Sequence, residues 1–169
     1  MTDDEDFVAL VSARWGSLYR FAWLLTGVDQ TAEDVLQYAL EKCYLKWGHI
    51  QRMDAPEAYI RRVVANTAIS ASRRSFLRHE VGREDLPEFA AESFEDGSDS
   101  RSLLWPLICA LPWRQRAVVV LRFYQDLTEK QVAEELGCSI GTVKSQGHDA
   151  MQALRRGLGA WASGEEVKA

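Results

Sequence analysis

The chain has few cysteines and lacks long apolar runs. Its 169 residues include three cysteines, Cys43, Cys109 and Cys138, which lie far apart and form no Cys-x-x-Cys pair. An odd number of widely spaced cysteines excludes a disulfide scaffold and argues against a zinc knuckle. The longest apolar runs, residues 63–65 and 118–121, are far shorter than the roughly 20 residues that span a bilayer. We therefore expect no membrane insertion.

The start of the chain also lacks a targeting signal. The first six residues are largely acidic, and no basic segment followed by an apolar one is present, so a secretory signal is not expected. Together with the cysteine pattern, this favours a reducing cytoplasm as the location of the protein.

Residue patterns of several enzyme and metal sites are absent as well. No H-E-x-x-H, G-x-x-x-x-G-K-[ST] or G-x-G-x-x-G pattern occurs, and the three histidines show no metal-ligand spacing. Carboxylates cluster in the acidic stretch over residues 84–100, which gives no sign of a facing catalytic pair. The sequence therefore predicts neither an enzyme nor a bound metal or cofactor.

The net charge of −5 argues at first against a nucleic-acid-binding protein. The charge is unevenly distributed, however. Residues 55–83 have a net charge of +4 and residues 101–160 of +3, whereas residues 84–100 carry −7. Because binding to nucleic acid depends on local basic patches, the acidic total does not exclude it.

Apolar residues recur at helical spacing, and no alternating strand pattern occurs. In the first half, this spacing predicts one helix over residues 7–25 that stops at Gly27, and a second that runs from Thr31 to Gly48. A third helix is predicted to begin near Pro56, since proline is favoured at the first helical position. The sequence therefore predicts an all-α fold.

Two helical domains are predicted, separated by an acidic linker. Residues 84–100 combine seven carboxylates with Pro, Gly and Ser, a composition that is typical of linkers. Helical periodicity returns at residue 102. The predicted organisation is a first domain over 1–80, the linker over 81–101, a second domain over 102–160 and a tail over 161–169.

A helix-turn-helix is predicted in the second domain. Thr128 and Gln131 form a capping box that opens one helix. Gly137 can adopt positive φ in the turn, and Ser139 can cap the next helix. Val143 would anchor that second helix, as the motif requires.

A helical wheel, drawn at about 100° per residue, divides this second helix into an apolar face and a polar, mainly basic face. In a helix-turn-helix, early residues of the second helix meet base edges and later ones often meet phosphates. Lys144, Ser145 and His148 are therefore candidate base readers. Arg155 and Arg156 are candidate phosphate contacts. The full candidate set is Thr142, Lys144, Ser145, His148, Asp149, Gln152, Arg155 and Arg156.

Three strings in the second domain match one family. They are Leu-Pro-x-x-x-Arg at 111–116, Leu-Thr-x-x-x-x-Ala at 127–133 and Gly-Thr-Val-Lys-Ser at 141–145. With them, the segment resembles region 4 of bacterial extracytoplasmic-function (ECF) sigma factors. The first domain resembles region 2, through Ala-Glu-Asp-Val-Leu-Gln at 32–37 and the string at 58–68. The resemblance covers residues from about 7 to 158 and is greatest to the actinobacterial, SigE-like group.

The resemblance implies a sigma factor that directs bacterial RNA polymerase core to promoters and opens the −10 element. The expected partners are promoter DNA, the polymerase β′ clamp helices and β flap, and an anti-sigma factor. The helix-turn-helix would read the −35 duplex. Docking on the clamp would use Asp34, Gln37, Tyr38 and Glu41. Binding of the −10 strand would use Arg62, Asn66, Ser70, Arg73 and Arg74.

The chain departs from the family pattern at four positions. Tyr38 stands where region 2 usually has Glu, and Gln146, Gly147 and Asp149 replace Arg, an apolar residue and Arg in the recognition helix. Asp149 either accepts a hydrogen bond from a cytosine amino group or weakens binding by repelling phosphate. The alternative function is a helix-turn-helix regulator with a sigma-like fold that does not itself direct initiation.

Overall fold

The computed structural model describes residues 2–79 and 99–162. The chain divides into two compact units, Met1–Arg78 and His79–Ala169. Every element within the described ranges is helical, and no strand occurs in them. The predicted all-α class is confirmed. Most of the predicted acidic linker and the tail from residue 163 lie outside the described residues.

The first unit contains four helices. Its core is formed by apolar side chains of α1, α2 and α4, among them the fully buried Phe21, Leu36 and Ile60. An ion pair of 3.0 Å between Arg14 Nε and Glu57 Oε2 joins α1 to α4. The helices are α1 (Asp3–Thr26), α2 (Asp29–Tyr44), α3 (Trp47–Ile50) and α4 (Pro56–His79).

Helix α1 begins four residues earlier than the apolar spacing predicts. Thr2 and Glu5 form a capping box, in which the Glu5 N–H donates to Thr2 Oγ1 and the Thr2 N–H donates to Glu5 Oε2. The acidic first turn is further stabilised by the positive end of the helix dipole. At the other end, Gly27 adopts φ 74° and donates its N–H to the Trp23 carbonyl, as predicted.

The predicted bounds of the second helix are wrong at both ends. Thr31 lies inside α2, whose cap residue is Val28. The helix ends at Tyr44, so Gly48 does not stop it and lies within the short α3. The physical reason is burial, because the turn after Tyr44 places Trp47 in the core. The centres of the Trp47 and Phe7 rings are 5.2 Å apart.

Over residues 99–162, the second unit contains four α-helices and one π-helical turn. Helix α8 contacts α5, α6 and α7, and thus lies at the centre of this unit. Pro112 immediately precedes α6. The elements are α5 (Asp99–Cys109), α6 (Trp113–Val119), the π-helical turn (Val120–Tyr124), α7 (Glu129–Leu136) and α8 (Ile140–Ala162).

A buried arginine links α5 to α6. Arg116 is 8% exposed, and its Nη1 donates a hydrogen bond of 2.8 Å to the carbonyl of Cys109, the last residue of α5. A guanidinium at this point also compensates the negative end of the helix dipole. Burial lowers the pKa of Arg116, yet arginine stays charged at neutral pH.

No helix in the described ranges is both long enough and apolar enough to cross a membrane.

Two glycines of α8 allow a matched test of how α8 packs against α5 and α6. A Cβ on Gly147 would make an ordinary contact of 3.5 Å with Val118, whereas a Cβ on Gly157 would approach Leu107 Cδ2 to 2.6 Å. Gly147→Ala is expected to raise the free energy of unfolding by up to about 1 kcal/mol through helix propensity. Gly157→Ala is expected to raise it less than Gly147→Ala does, because moving Leu107 Cδ2, an end of a flexible side chain, offsets part of the same propensity gain.

Urea denaturation followed by far-UV circular dichroism measures both changes. A gain from Gly157→Ala as large as that from Gly147→Ala would contradict the close approach of α5 to α8 at Gly157.

Candidate nucleic-acid interface

The turn between α7 and α8 is built by short-range hydrogen bonds. Thr128 caps α7 in a capping box with Gln131, and Gly137 ends it with φ 63°. Ser139 Oγ then accepts a hydrogen bond of 3.0 Å from the Thr142 N–H, so that it caps α8. All three local predictions for the helix-turn-helix are confirmed.

The turn also contains a Gly-x-Ser-x-Gly string at residues 137–141. In hydrolases this string forms a nucleophile elbow between a strand and a helix. Here it lies between two helices, and the Ser139 hydroxyl is 2.9 Å from that of Thr142. The string is a helix cap and gives no support to an enzymatic role.

One face of α8 is buried against the rest of the second unit. Val143, Ala150 and Leu154 are 6% exposed or less. Leu158, which the helical wheel places on the same apolar face, is 40% exposed, although the neighbouring Gly157 is buried against α5. These buried residues set the orientation of α8.

The opposite face presents almost all of the predicted DNA-contacting side chains to solvent. Thr142 is half-buried, since its hydroxyl is engaged with Ser139. The Nε2 atoms of His148 and Gln152 are 3.0 Å apart, so these two side chains support each other one helical turn apart. The exposed members are Lys144, Ser145, His148, Asp149, Gln152, Arg155 and Arg156.

The charges on this face are mixed. Lys144, Arg155 and Arg156 supply three positive charges, against one negative charge from Asp149. Lys144 Nζ also lies 3.9 Å from Oε2 of Glu129, the first residue of α7. The face is therefore basic. The sequence pattern did not identify the Glu129 carboxylate, which lies next to the lysine of this face.

Two of the departures from the family pattern lie away from this face. Gln146 lines a small cleft with Trp113, Arg114 and Thr142. Gly147 faces α6, where it lies near Val118. Their substitutions therefore concern the packing of α8 more directly than its exposed face.

The candidates for the −10 strand share one face of α4. At about 100° per residue, they fall within an arc of about 120°. This face combines three guanidinium groups with an amide and a hydroxyl, which suits contacts to phosphates and to an unpaired base. All five are exposed: Arg62, Asn66, Ser70, Arg73 and Arg74.

The candidates for polymerase docking share one exposed face of α2. Tyr38 is 51% exposed, and the Lys42 ammonium lies 4.4 Å from the centre of its ring. Leu45, four residues after Glu41, extends the same face and is 76% exposed. The helical spacing could have identified Leu45, but its exposure depends on the turn into α3. The predicted members are Asp34, Gln37, Tyr38 and Glu41, all exposed.

The described residues contain no group of three or more His, Cys, Asp or Glu side chains able to hold a metal ion. Cys43 is buried in the core of the first unit, and burial raises the pKa of its thiol to about 11. Such a thiol stays protonated at neutral pH and is a poor nucleophile and metal ligand.

The second unit is thus a helix-turn-helix module of the DNA-binding type, joined in one chain to a second helical module. Family models match both. Residues 10–76 match "Sigma-70 region 2", and residues 102–154 match "Sigma-70, region 4".

Full-length comparisons agree with these matches. RNA polymerase sigma-E factor of Streptomyces coelicolor is 37% identical over 153 residues, which cover 90% of this chain and 86% of the relative. ECF RNA polymerase sigma factor SigL of Mycobacterium tuberculosis is 31% identical, with 87% and 85% covered. The chain belongs to the ECF group of the sigma-70 family of RNA polymerase sigma factors.

A solved structure shows the same fold. The sigma factor RpoE of Bartonella quintana, in complex with the anti-sigma factor NepR, aligns with a TM-score of 0.70 at 22% identity. The alignment covers 91% of this chain and 97% of that one.

The two ends of the α8 face are expected to differ in their effect on DNA binding. Lys144→Ala should weaken duplex binding and relax the sequence preference, because it removes a candidate base-edge donor. Arg155→Ala should weaken binding to all sequences and lower the salt slope by about one unit. Gln146→Ala is the control, since it lies in the cleft.

Binding of the full-length variants to a pool of randomised duplexes at several salt concentrations, with sequencing of the bound fraction, measures both effects. Equal loss of sequence preference from Lys144→Ala and Arg155→Ala would contradict the division into base reader and phosphate contact.

Proposed function

We propose that this chain directs bacterial RNA polymerase core to specific promoters and opens their −10 element. The observation that supports this most strongly is the match of both regions within one chain, together with near-full-length relatives that are sigma factors. The protein acts as a non-catalytic initiation factor in the cytoplasm, and the polymerase core supplies the chemistry.

The exposed face of α2 is the proposed docking surface for the β′ clamp helices. It combines carboxylates and an amide with two large apolar side chains, Tyr38 and Leu45, which are 51% and 76% exposed. Burying a leucine side chain contributes about 1.5–3 kcal/mol. The apolar part of this surface can thus supply affinity, while Asp34 and Glu41 set the charge that a partner must complement.

The exposed face of α4 is proposed to hold the separated −10 strand. Asn66 and Ser70 lie between Arg62 on one side and the Arg73–Arg74 pair on the other, along about 18 Å of helix. Amide and hydroxyl groups can read an extruded base, and the guanidinium groups can hold its backbone.

Helix α8 is proposed to read the −35 duplex from the major groove, and the second unit to dock on the β flap. Lys144, Ser145 and His148 precede Arg155 and Arg156 along one face, in the order that a recognition helix uses. Asp149 reduces the positive charge of this face, which is consistent with weak binding of free protein to DNA and stronger binding by the holoenzyme.

The alternative, a regulator that does not direct initiation, requires a first unit without a polymerase partner. The region 2 match over residues 10–76 favours the sigma factor. An anti-sigma factor is a proposed further partner, in line with the complex of the Bartonella quintana protein.

Co-purification with RNA polymerase core tests the docking surface. Leu45→Ala and Glu41→Lys are each expected to lower the affinity for the polymerase core by about tenfold or more. Leu45→Ala removes apolar burial, and Glu41→Lys reverses a charge on the docking surface. Val8→Ala is the matched control, an apolar side chain of the same unit that is 60% exposed on α1.

Equal losses for Leu45→Ala and Val8→Ala would contradict the proposed surface. Wild-type protein that binds duplex DNA but never retains core polymerase would instead support the regulator.

A further inference from the structure

The first residue of the proposed recognition helix is an exposed isoleucine. Ile140 begins α8 and is 43% exposed. It precedes Lys144 by four residues, and Lys144 precedes His148 by the same interval, so that the three side chains follow one another along one side of the helix. Ile140 therefore extends the exposed row of candidate base readers to the start of α8.

The other three residues of this first turn offer no comparable side chain. Val143 is 2% exposed and packs inside the second unit. The Thr142 hydroxyl lies 2.9 Å from that of Ser139, within the helix cap. Gly141 is exposed and has no side chain. Of the four described residues 140–143, Ile140 is thus the one whose side chain is available to contact DNA.

The fold alone does not require a glycine at position 141. A Cβ on Gly141 would lie 3.6 Å from Ser139 Oγ, which is an ordinary contact, so there is space for a side chain. Alanine would also be the better helix former. Glycine is favoured, however, where a ligand approaches the backbone closely. Gly141 therefore supports a contact surface at this turn, directly beside Ile140.

We propose that Ile140 is a specificity-determining residue that contacts the C5-methyl group of a thymine in the major groove. This inference rests on the proposed reading of the −35 duplex by α8. In a helix-turn-helix, the N-terminal residues of the second helix contact base edges, and Ile140 is the first residue of that helix.

The chemistry of the side chain selects the base. Isoleucine has neither a donor nor an acceptor, and the thymine methyl is the apolar group that base edges present in the major groove. Contact with thymine therefore buries two apolar surfaces. Contact with another base instead covers polar groups, which lose water and gain no hydrogen bond. This difference depends on the base itself, so it contributes directly to the sequence preference.

The surroundings of Ile140 favour DNA over a protein partner. Lys144, Ser145 and His148 lie next along the same exposed face of α8, which is polar and mainly basic. A single apolar side chain on such a face offers a protein little apolar area to bury, whereas protein interfaces have apolar centres from which charged residues are depleted. The positive charge of the face complements the phosphates that flank a base edge.

Thymine and uracil differ by this methyl group alone, which allows a direct test with the full-length protein. The probe is a pool of DNA duplexes with a randomised core, bound at low salt and sequenced. Wild-type protein is expected to select thymine at one position where Ile140→Ala shows no preference. Replacing that thymine by uracil in a selected duplex should weaken wild-type binding about fourfold, the effect of one buried methyl-sized group. Binding of Ile140→Ala should be unchanged by this replacement.

Leu158→Ala is the matched control, since Leu158 is an apolar residue of the same helix with a similar exposure of 40%. It lies about 27 Å further along α8 and should keep both the thymine preference and the sensitivity to uracil. Alanine is a strong helix former, so neither substitution is expected to unfold α8. Thermal melting curves verify that both variants are folded.

The proposal is overturned if wild-type protein and Ile140→Ala select the same sequences, or if both respond equally to uracil. Weaker retention of RNA polymerase core by Ile140→Ala, with unchanged DNA selection, would assign this side chain to a protein contact instead. If wild-type protein selects no sequence at all, the proposed reading of DNA by α8 fails as well. If Lys144→Ala alters the selection and Ile140→Ala does not, only the role of Ile140 is wrong.

Discussion

The burial of Val143, Ala150 and Leu154 decides which side chains α8 can offer to another molecule. Burying apolar side chains of this kind contributes up to about 3 kcal/mol each. An exposed ion pair such as that of Lys144 with Glu129 contributes about 0–1 kcal/mol. Core packing therefore sets the orientation of the helix, and the charges of the opposite face act within that orientation.

The same constraint applies to α2 and α4. Each helix buries one side in the core of the first unit, so that the other side becomes a continuous strip of exposed groups. On α2 this strip joins carboxylates to Tyr38 and Leu45, and on α4 it joins guanidinium groups to Asn66 and Ser70. The two helices therefore separate an acidic and apolar surface from a basic and polar one. An acidic chain can thus carry two local basic surfaces.

Features set by neighbouring residues were predictable from the sequence. The capping box at Thr128, the left-handed Gly137 and the cap at Ser139 each depend on side-chain chemistry within three or four positions. The exposed faces of α4 and α8 followed from helical periodicity, because the apolar positions identify the buried side.

Features that depend on contacts between distant segments were not predictable. The turn after Tyr44 exists because Trp47 packs beside Phe7, and it decides the exposure of Leu45. The meeting of Glu129 with Lys144 depends on how two helices cross. A helical wheel treats each helix alone and cannot identify contacts between residues of different helices.

Run-off transcription with purified RNA polymerase core tests the central claim most directly. The template would carry a promoter identified by mapping transcript start sites after controlled expression of the protein. Initiation is expected at that start site when both core and this protein are present, and not with core alone. A protein that binds core and duplex DNA but never supports initiation at the mapped site would contradict its role as a sigma factor.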